Sequence, residues 1–142
     1  MLKSGMLIIR PAEERDLPSV IKVLDESDHR YKKETFDRFF VAEVDGRIAG
    51  TVRLEEHDNF TFLTSLGVEN DFRGQGIGAA LMQFALKSAK NDMYIYTVIP
   101  DFFRKFGFTP LPTPGFLPAK DAYECDDCFP ERCVTMVKKH DT

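Results

Sequence analysis

Apolar and polar positions recur along this chain with two periods, one extended and one helical. Met6-Leu7-Ile8-Ile9-Arg10 reads as a strand that Pro11 ends. Leu17, Val20, Ile21 and Leu24 then fall on one helical face, with Asp16 at the expected cap and Pro18 confined to the first turn. A second short helix is expected from Lys32 to Phe39. Val41-Ala42-Glu43-Val44 and the run Arg47 to Leu54 are strand-like and meet at Asp45-Gly46, a strong hairpin turn. Along the second run Ile48, Gly50, Val52 and Leu54 share one face, and Arg47, Ala49, Thr51, Arg53 and Glu55 the other. Phe60 to Leu66 predicts another strand, and Gly67 inside that run marks a bulge or a close backbone approach. Ile77, Ala80, Leu81, Phe84, Ala85 and Ser88 line the clearest helix, which ends near Lys87, Lys90 and Asn91. Met93 to Val98 reads as a buried strand, Asp101 to Phe106 as a short helix closed by Gly107, and Cys133 to Val137 as a last strand. This order predicts a mixed α/β domain on a partly antiparallel sheet.

Composition narrows the picture. At 142 residues and 43% hydrophobic, the chain has the size and apolar content of one domain with one core, and no linker or repeat divides it. Charged residues make up 30% of the chain, with a net charge of -4 and no broad basic patch, which argues against nucleic acid as a partner. No apolar run approaches the ~20 residues of a membrane span, and the first ten residues are too mixed for a signal peptide, so a cytoplasmic protein without a membrane partner is expected. The three cysteines, Cys125, Cys128 and Cys133, lie in one stretch and do not read as a disulfide framework. A Cys-x-x-Cys pair supplies half of a zinc site, with Cys133 as a third ligand, but the fourth would have to come from His140, a carboxylate or another subunit, and reduced thiols packing a loop or an adventitious Cys125–Cys128 disulfide explain the stretch better.

The segment that carries chemistry runs from Leu66-Gly67-Val68 through Arg73-Gly74-Gln75-Gly76-Ile77-Gly78. A strand ends, the chain turns through glycines and a helix begins. Helix starts leave about four N–H groups without intrahelical partners, and the peptide dipoles add positive character there. Glycines let a ligand approach those amides, so the turn suits a phosphate or diphosphate. It is not a P-loop, because Ala79 and Ala80 follow Gly78 where Lys and Ser/Thr are needed. The glycine spacing also misses the dinucleotide fingerprint, and the strand Met93 to Val98 ends without an acid.

Arg73-Gly74-Gln75-Gly76-Ile77-Gly78 resembles the Arg/Gln-x-x-Gly-x-Gly/Ala acetyl-CoA motif of the GNAT N-acetyltransferase superfamily, with Leu66-Gly67-Val68 before it and Leu81 after it at the matching offsets. Phe102-Phe103-Arg104-Lys105-Phe106-Gly107-Phe108 is similar to that family's Phe-Tyr-x-x-x-Gly-Phe element. Ile9-Arg10-Pro11-Ala12 with Asp16 is similar to its usual opening. The tail, with Cys-x-x-Cys and Pro-x-x-Cys before Met136-Val137-Lys138, resembles the short N-acetylglutamate synthase-like members. The resemblance implies one GNAT domain over residues 1–142, with a Cys-containing C-terminal segment over 119–142. The implied fold is the acyl-CoA N-acyltransferase fold, a central mixed, mostly antiparallel sheet flanked by helices.

It further implies acetyl-CoA as co-substrate, a small-molecule amine as acceptor, and a possible homodimer. Coenzyme A would lie along Leu66, Gly67 and Val68, with its diphosphate on the amides of Arg73, Gly74, Gln75, Gly76, Ile77, Gly78 and Ala79. A backbone N–H at Leu66 would face the oxyanion, and Glu69 or Glu55 would accept the amine proton, with Glu56 a further candidate. Phe103 occupies the position where the family often has a tyrosine that protonates the leaving thiolate; Tyr94, Tyr96 and Tyr123 are substitutes. Arg53 is the candidate for an acceptor carboxylate, ahead of Arg10 and Arg104. Glutamate or a similar amino acid would be acetylated on its α-amine. The alternatives are a protein lysine or N-terminal acetyltransferase and a non-catalytic acyl-CoA sensor.

Overall fold

The computed structural model describes residues 7–26, 38–117 and 133–140. Strand β1 (Leu7–Pro11) is followed by a short 3-10 turn, Glu14–Asp16, and helix α1 (Leu17–Glu26). Strands β2 (Phe39–Val44), β3 (Arg47–Glu56) and β4 (Phe60–Val68) come next, then a second 3-10 turn at Asn70–Phe72 and helix α2 (Ile77–Ser88). Strand β5 (Asp92–Thr97), helix α3 (Pro100–Arg104), the two-residue strand β6 (Thr109–Pro110) and β7 (Val134–Lys138) complete the order. The expected helix from Lys32 lies outside the described residues up to Asp37, and its last position, Phe39, instead opens β2.

One sheet of seven strands runs in the order β1-β2-β3-β4-β5-β7-β6. Every pairing is antiparallel except β4 with β5. The Asp45-Gly46 turn takes positive φ at both residues, 50° and 83°, as a tight hairpin between right-twisted strands requires. Asp16 is buried and closes the turn before α1 by accepting the Glu13 N–H at 2.7 Å and the Arg10 guanidinium at 2.7 and 3.0 Å. Arg10 also reaches Glu43 on β2, so one guanidinium ties β1, β2 and the start of α1.

The helices pack on opposite faces. Val20 and Leu24 of α1 bury against Phe39 and Val41. The stripe of α2, led by Ile77, Leu81 and Ala85, buries against Val52, Leu54 and Leu63 with Phe103 and Phe108. Gly50 permits this approach: a Cβ there would stand 2.8 Å from the Gly67 carbonyl oxygen and 2.9 Å from Ile77. Register shifts break the simple alternation twice. One falls where Ala42 pairs with Gly50 but Glu43 with Ile48, so Ile48 packs on the α1 side, not with Gly50 and Val52. The other falls in β4, between the pairs Arg53↔Thr64 and Thr51↔Gly67. Its strained residue is Ser65, at φ 57°, so the irregularity that Gly67 suggested sits two residues earlier. Gly67 serves the close approach to Gly50.

Candidate functional site

Strands β4 and β5 begin as neighbours and then part. Phe60↔Asp92, Thr61↔Met93 and Phe62↔Tyr94 are paired, and no β4–β5 register continues beyond them. Leu63 to Val68 therefore keeps a strand edge directed at a gap. Thr51 Oγ1 donates to the Ser65 carbonyl at 3.0 Å and fixes the bulge where the gap opens. Ser65 and Leu66 fall between the β3 register pairs, so Leu66 has a ladder partner in neither neighbour. Gly67 is buried and Val68 half-buried at the end of the edge.

From that edge the chain passes through Arg73 into the glycine turn. Gly74 and Gly76 both hold left-handed backbone, at φ 78° and 82°, with nothing within 4 Å of where a Cβ would stand. Gly76 is the N-cap of α2 and has no side-chain cap. The first intrahelical N–H, from Ala80, reaches the Gly76 carbonyl at 3.0 Å. The amides of Ile77, Gly78 and Ala79 are thus left for a ligand, in the geometry that holds a diphosphate. Gln75 reaches the Asp71 carbonyl. The Arg73 guanidinium turns back to the carbonyls of Val68 and Glu26, so what Arg73 offers toward the turn is main chain. Phe103 is only 5% exposed and packs in the core against Phe102 and Phe108. The ring that stands over the mouth is Phe102, 3.7 Å from the Cβ position of Gly78. Helical phase separates these two adjacent phenylalanines, which the sequence motif alone does not.

Other groups gather on the α1 face of the sheet. Phe39, Arg53 and Thr64 lie in one row across β2, β3 and β4. Arg53 is 3% exposed and donates to Glu55 at 2.9 Å. Beside it Thr64 Oγ1 is buried without a hydrogen-bond partner among the described residues. The other Glu55 oxygen bonds His57 Nε2 at 2.8 Å, and the His57 ring stacks on Phe60. Burial pushes the Glu55 carboxyl up, but the His57 and Arg53 hydrogen bonds outweigh it and hold it below its ordinary value. In the next row Phe62 pairs with Tyr94, and Tyr96 stands edge-on to Phe62 at 4.9 Å, one step past the last β4–β5 pair. Burial, then the nearby Cys133, raises the Tyr96 phenol, which keeps its proton at neutral pH. Thr64 escaped the sequence reading because only the hairpin register brings it beside Arg53, whereas His57, two residues beyond Glu55, meets it locally.

Glu69 has a different setting. It is 3% exposed, caps the 3-10 turn through the Asp71 N–H, and pairs with Lys22 and Arg47 at 3.2 Å each. It directly follows β4, and its carboxylate is taken up by α1, Arg47 and the turn itself. Glu56 is exposed at the end of β3. Arg10 is committed to Asp16 and Glu43, and Arg104 to Asp101 on its own helix. Tyr94 belongs to the small core under Leu117 and Val137. Tyr123, Cys125 and Cys128 lie outside the described residues. Cys133 is half-buried, just before β7. Among the described residues no group of three metal-ligating side chains occurs, and no helix is long and apolar enough to cross a membrane.

This geometry agrees with what comparison with known proteins finds. A family model described as acetyltransferase (GNAT) domain matches residues 35–110, which span the sheet edge, the glycine turn and α3. An uncharacterized N-acetyltransferase of Chlorobaculum tepidum is 30% identical over 115 residues, covering 70% of this chain and 69% of that protein. N-acetylglutamate synthase of Neisseria gonorrhoeae, solved with coenzyme A and N-acetyl-glutamate, superposes with a TM-score of 0.76 at 17% identity. The match covers 99% of this chain but only 36% of the synthase. The ribosomal-protein-S18-alanine N-acetyltransferase of Escherichia coli superposes at 0.71 with 18% identity, covering 96% of each chain. With the motif, the parted strands and the family match in agreement, the chain belongs to the GNAT family of acetyltransferases, the acetyl-CoA-dependent N-acetyltransferases.

Proposed function

We propose that this GNAT domain acetylates the α-amine of a small carboxylate-bearing acceptor, glutamate or a related amino acid. The observation that carries the reading is the pair Arg53 and Thr64. A buried guanidinium and a buried, unclaimed hydroxyl stand side by side one residue before the bulge that opens the gap. A cation and a hydroxyl so arranged suit a carboxylate. The acceptors of GNAT proteins of similar fold include both amino acids and proteins, so the acceptor rests on these side chains.

Acetyl-CoA brings an acyl group already activated as a thioester. Its diphosphate lies on the main-chain amides from Arg73 to Ala79, and its pantetheine arm adds to the open edge from Leu63 to Val68 as a short strand would. This sets the thioester beside Leu66, whose N–H donates to the carbonyl oxygen as negative charge builds there. Phe102 and Val68 wall the channel, with Phe103 backing them from the core. Arg53 and Thr64 hold the acceptor carboxylate. The acceptor nitrogen attacks only as a free amine. Glu55, ionised at neutral pH, takes its proton through a water. Glu69 instead stiffens the turn. The carbon–sulfur bond breaks as the amide forms; the Tyr96 hydroxyl gives its proton to the leaving thiolate, and the second proton shed by the acylated nitrogen restores it.

Release of the coenzyme A thiol, followed with glutamate, glutamine, other amino acids, polyamines and peptides, tests the reading. Glutamate or a near relative is expected to be the best acceptor, with Arg53→Ala raising the acceptor KM and leaving the acetyl-CoA KM in place. A peptide N-terminus or a lysine side chain as the best acceptor would overturn it.

A further inference from the structure

The donor turn is held from outside by α1. The last residue of that helix, Glu26, accepts the Asn70 N–H on its carboxylate at 3.0 Å and the Arg73 guanidinium on its carbonyl at 3.1 Å. One helical turn earlier, Lys22 pairs with Glu69 at 3.2 Å and lies 3.9 Å from the second Glu26 oxygen. Asn70, Asp71 and Arg73 are exposed around the buried Phe72, in a single 3-10 turn that Glu69 caps at Asp71 and that α1 braces on its exposed side. These contacts add little to the fold of α1, which buries Val20, Val23 and Leu24 on another face.

We propose that the Glu26 carboxylate is a positioning group for the acyl donor, acting through Asn70, beside the Arg73 anchor on the Glu26 carbonyl that any residue there would keep, to aim the amides that follow. The proposal rests on the reading that those amides hold the diphosphate. Left alone, the stretch from Asn70 to Gly76 would have much freedom to lose on binding, with Gly74 and Gly76 the loosest points. With Asn70 and Arg73 anchored to the end of α1, only the glycines remain to settle. The donor then meets a turn whose ordering cost has been met by folding.

The test compares the wild type with Glu26→Ala and Glu26→Gln, using acetyl-CoA and the truncated donor S-acetylpantetheine, which lacks the diphosphate. In Glu26→Ala the KM for acetyl-CoA and the Kd for coenzyme A are expected to rise about three- to tenfold. The kcat at saturating donor, the acceptor KM and the KM for S-acetylpantetheine are expected to stay as they are. Glu26→Gln keeps an oxygen for the Asn70 N–H and should recover most of the affinity. Three results would overturn the proposal: an unchanged acetyl-CoA KM in Glu26→Ala, an equal rise for both donors, or no recovery in Glu26→Gln. If the wild type itself uses both donors equally well, the diphosphate reading fails, and that failure shows without any variant.

Discussion

The mouth of α2 and the sheet face beneath α1 offer a ligand different atoms. The mouth offers main-chain amides, exposed because Gly74 and Gly76 carry left-handed backbone and no Cβ. The face offers side chains from neighbouring strands, Arg53, Glu55, Thr64 and Tyr96, brought together only by register. On the proposed reading, the first device would take hold of what every coenzyme A thioester shares. The second consists of side chains, which can change from one protein to another while the backbone stays the same. A family that keeps one donor and changes acceptors needs this division.

The difference can be broken most sharply at Arg53. Arg53→Ala should lower kcat/KM for the preferred acceptor by about a hundredfold, since truncating one partner of a buried charge pair costs several kcal/mol. Steady-state kinetics with each substrate varied would place the loss in the acceptor KM. Gly76→Val attacks the other device. Nothing crowds the site, so its cost is the left-handed backbone, about 1–2 kcal/mol for an L residue. The acetyl-CoA KM should rise about tenfold while the acceptor KM holds.

Tyr96→Phe leaves the ring edge-on to Phe62 and removes only the hydroxyl. It should lower kcat about fivefold, a small share of the usual range for acid–base groups, without moving either KM. Gln75→Ala should change the acetyl-CoA KM by less than about twofold, because its side chain reaches only the Asp71 carbonyl. A large effect there would mean that side chains take part in holding the donor.

Acid stability checks the scaffold between the two devices. The hydrogen bonds from Arg10, set against burial, hold the Asp16 carboxyl below its ordinary value. The unfolded chain therefore takes up that proton first as pH falls. The stability Asp16 contributes is complete above about pH 4 and lost as pH drops through the depressed folded value. Urea melts should be level between pH 7 and 5 and decline below that, and Asp16→Asn should flatten the decline.

The sequence spoke clearly where the backbone needs a particular residue. Asp45-Gly46 turned where both residues must hold positive φ, and the glycines before α2 announced a helix mouth. It was silent where the backbone does something a residue does not advertise. Ser65 holds φ 57° through its neighbours, with Thr51 bonding its carbonyl, and no residue preference marks a serine for that role. The shift at Ala42 and Glu43 likewise moved Ile48 to the face opposite Gly50, against simple alternation. On the α1 face of the sheet Arg53 was readable as a candidate for an acceptor carboxylate but not as a buried residue, and its neighbour Thr64 was not readable at all, because partnership across strands depends on a bulge. Glu69, near the splay in sequence, proved bound to Lys22 and Arg47, a commitment set by where α1 and the hairpin end.

Only three residue pairs stitch β4 to β5. Mechanically the seven strands are two plates, four strands and three, sharing a short seam that opens like a partly drawn zipper. A slender extended molecule in the opening would staple the plates together along the length the seam leaves undone. Loading the protein should then stiffen it across the whole sheet, and slowed amide exchange in β5 and β7, far from any diphosphate, would be the sign.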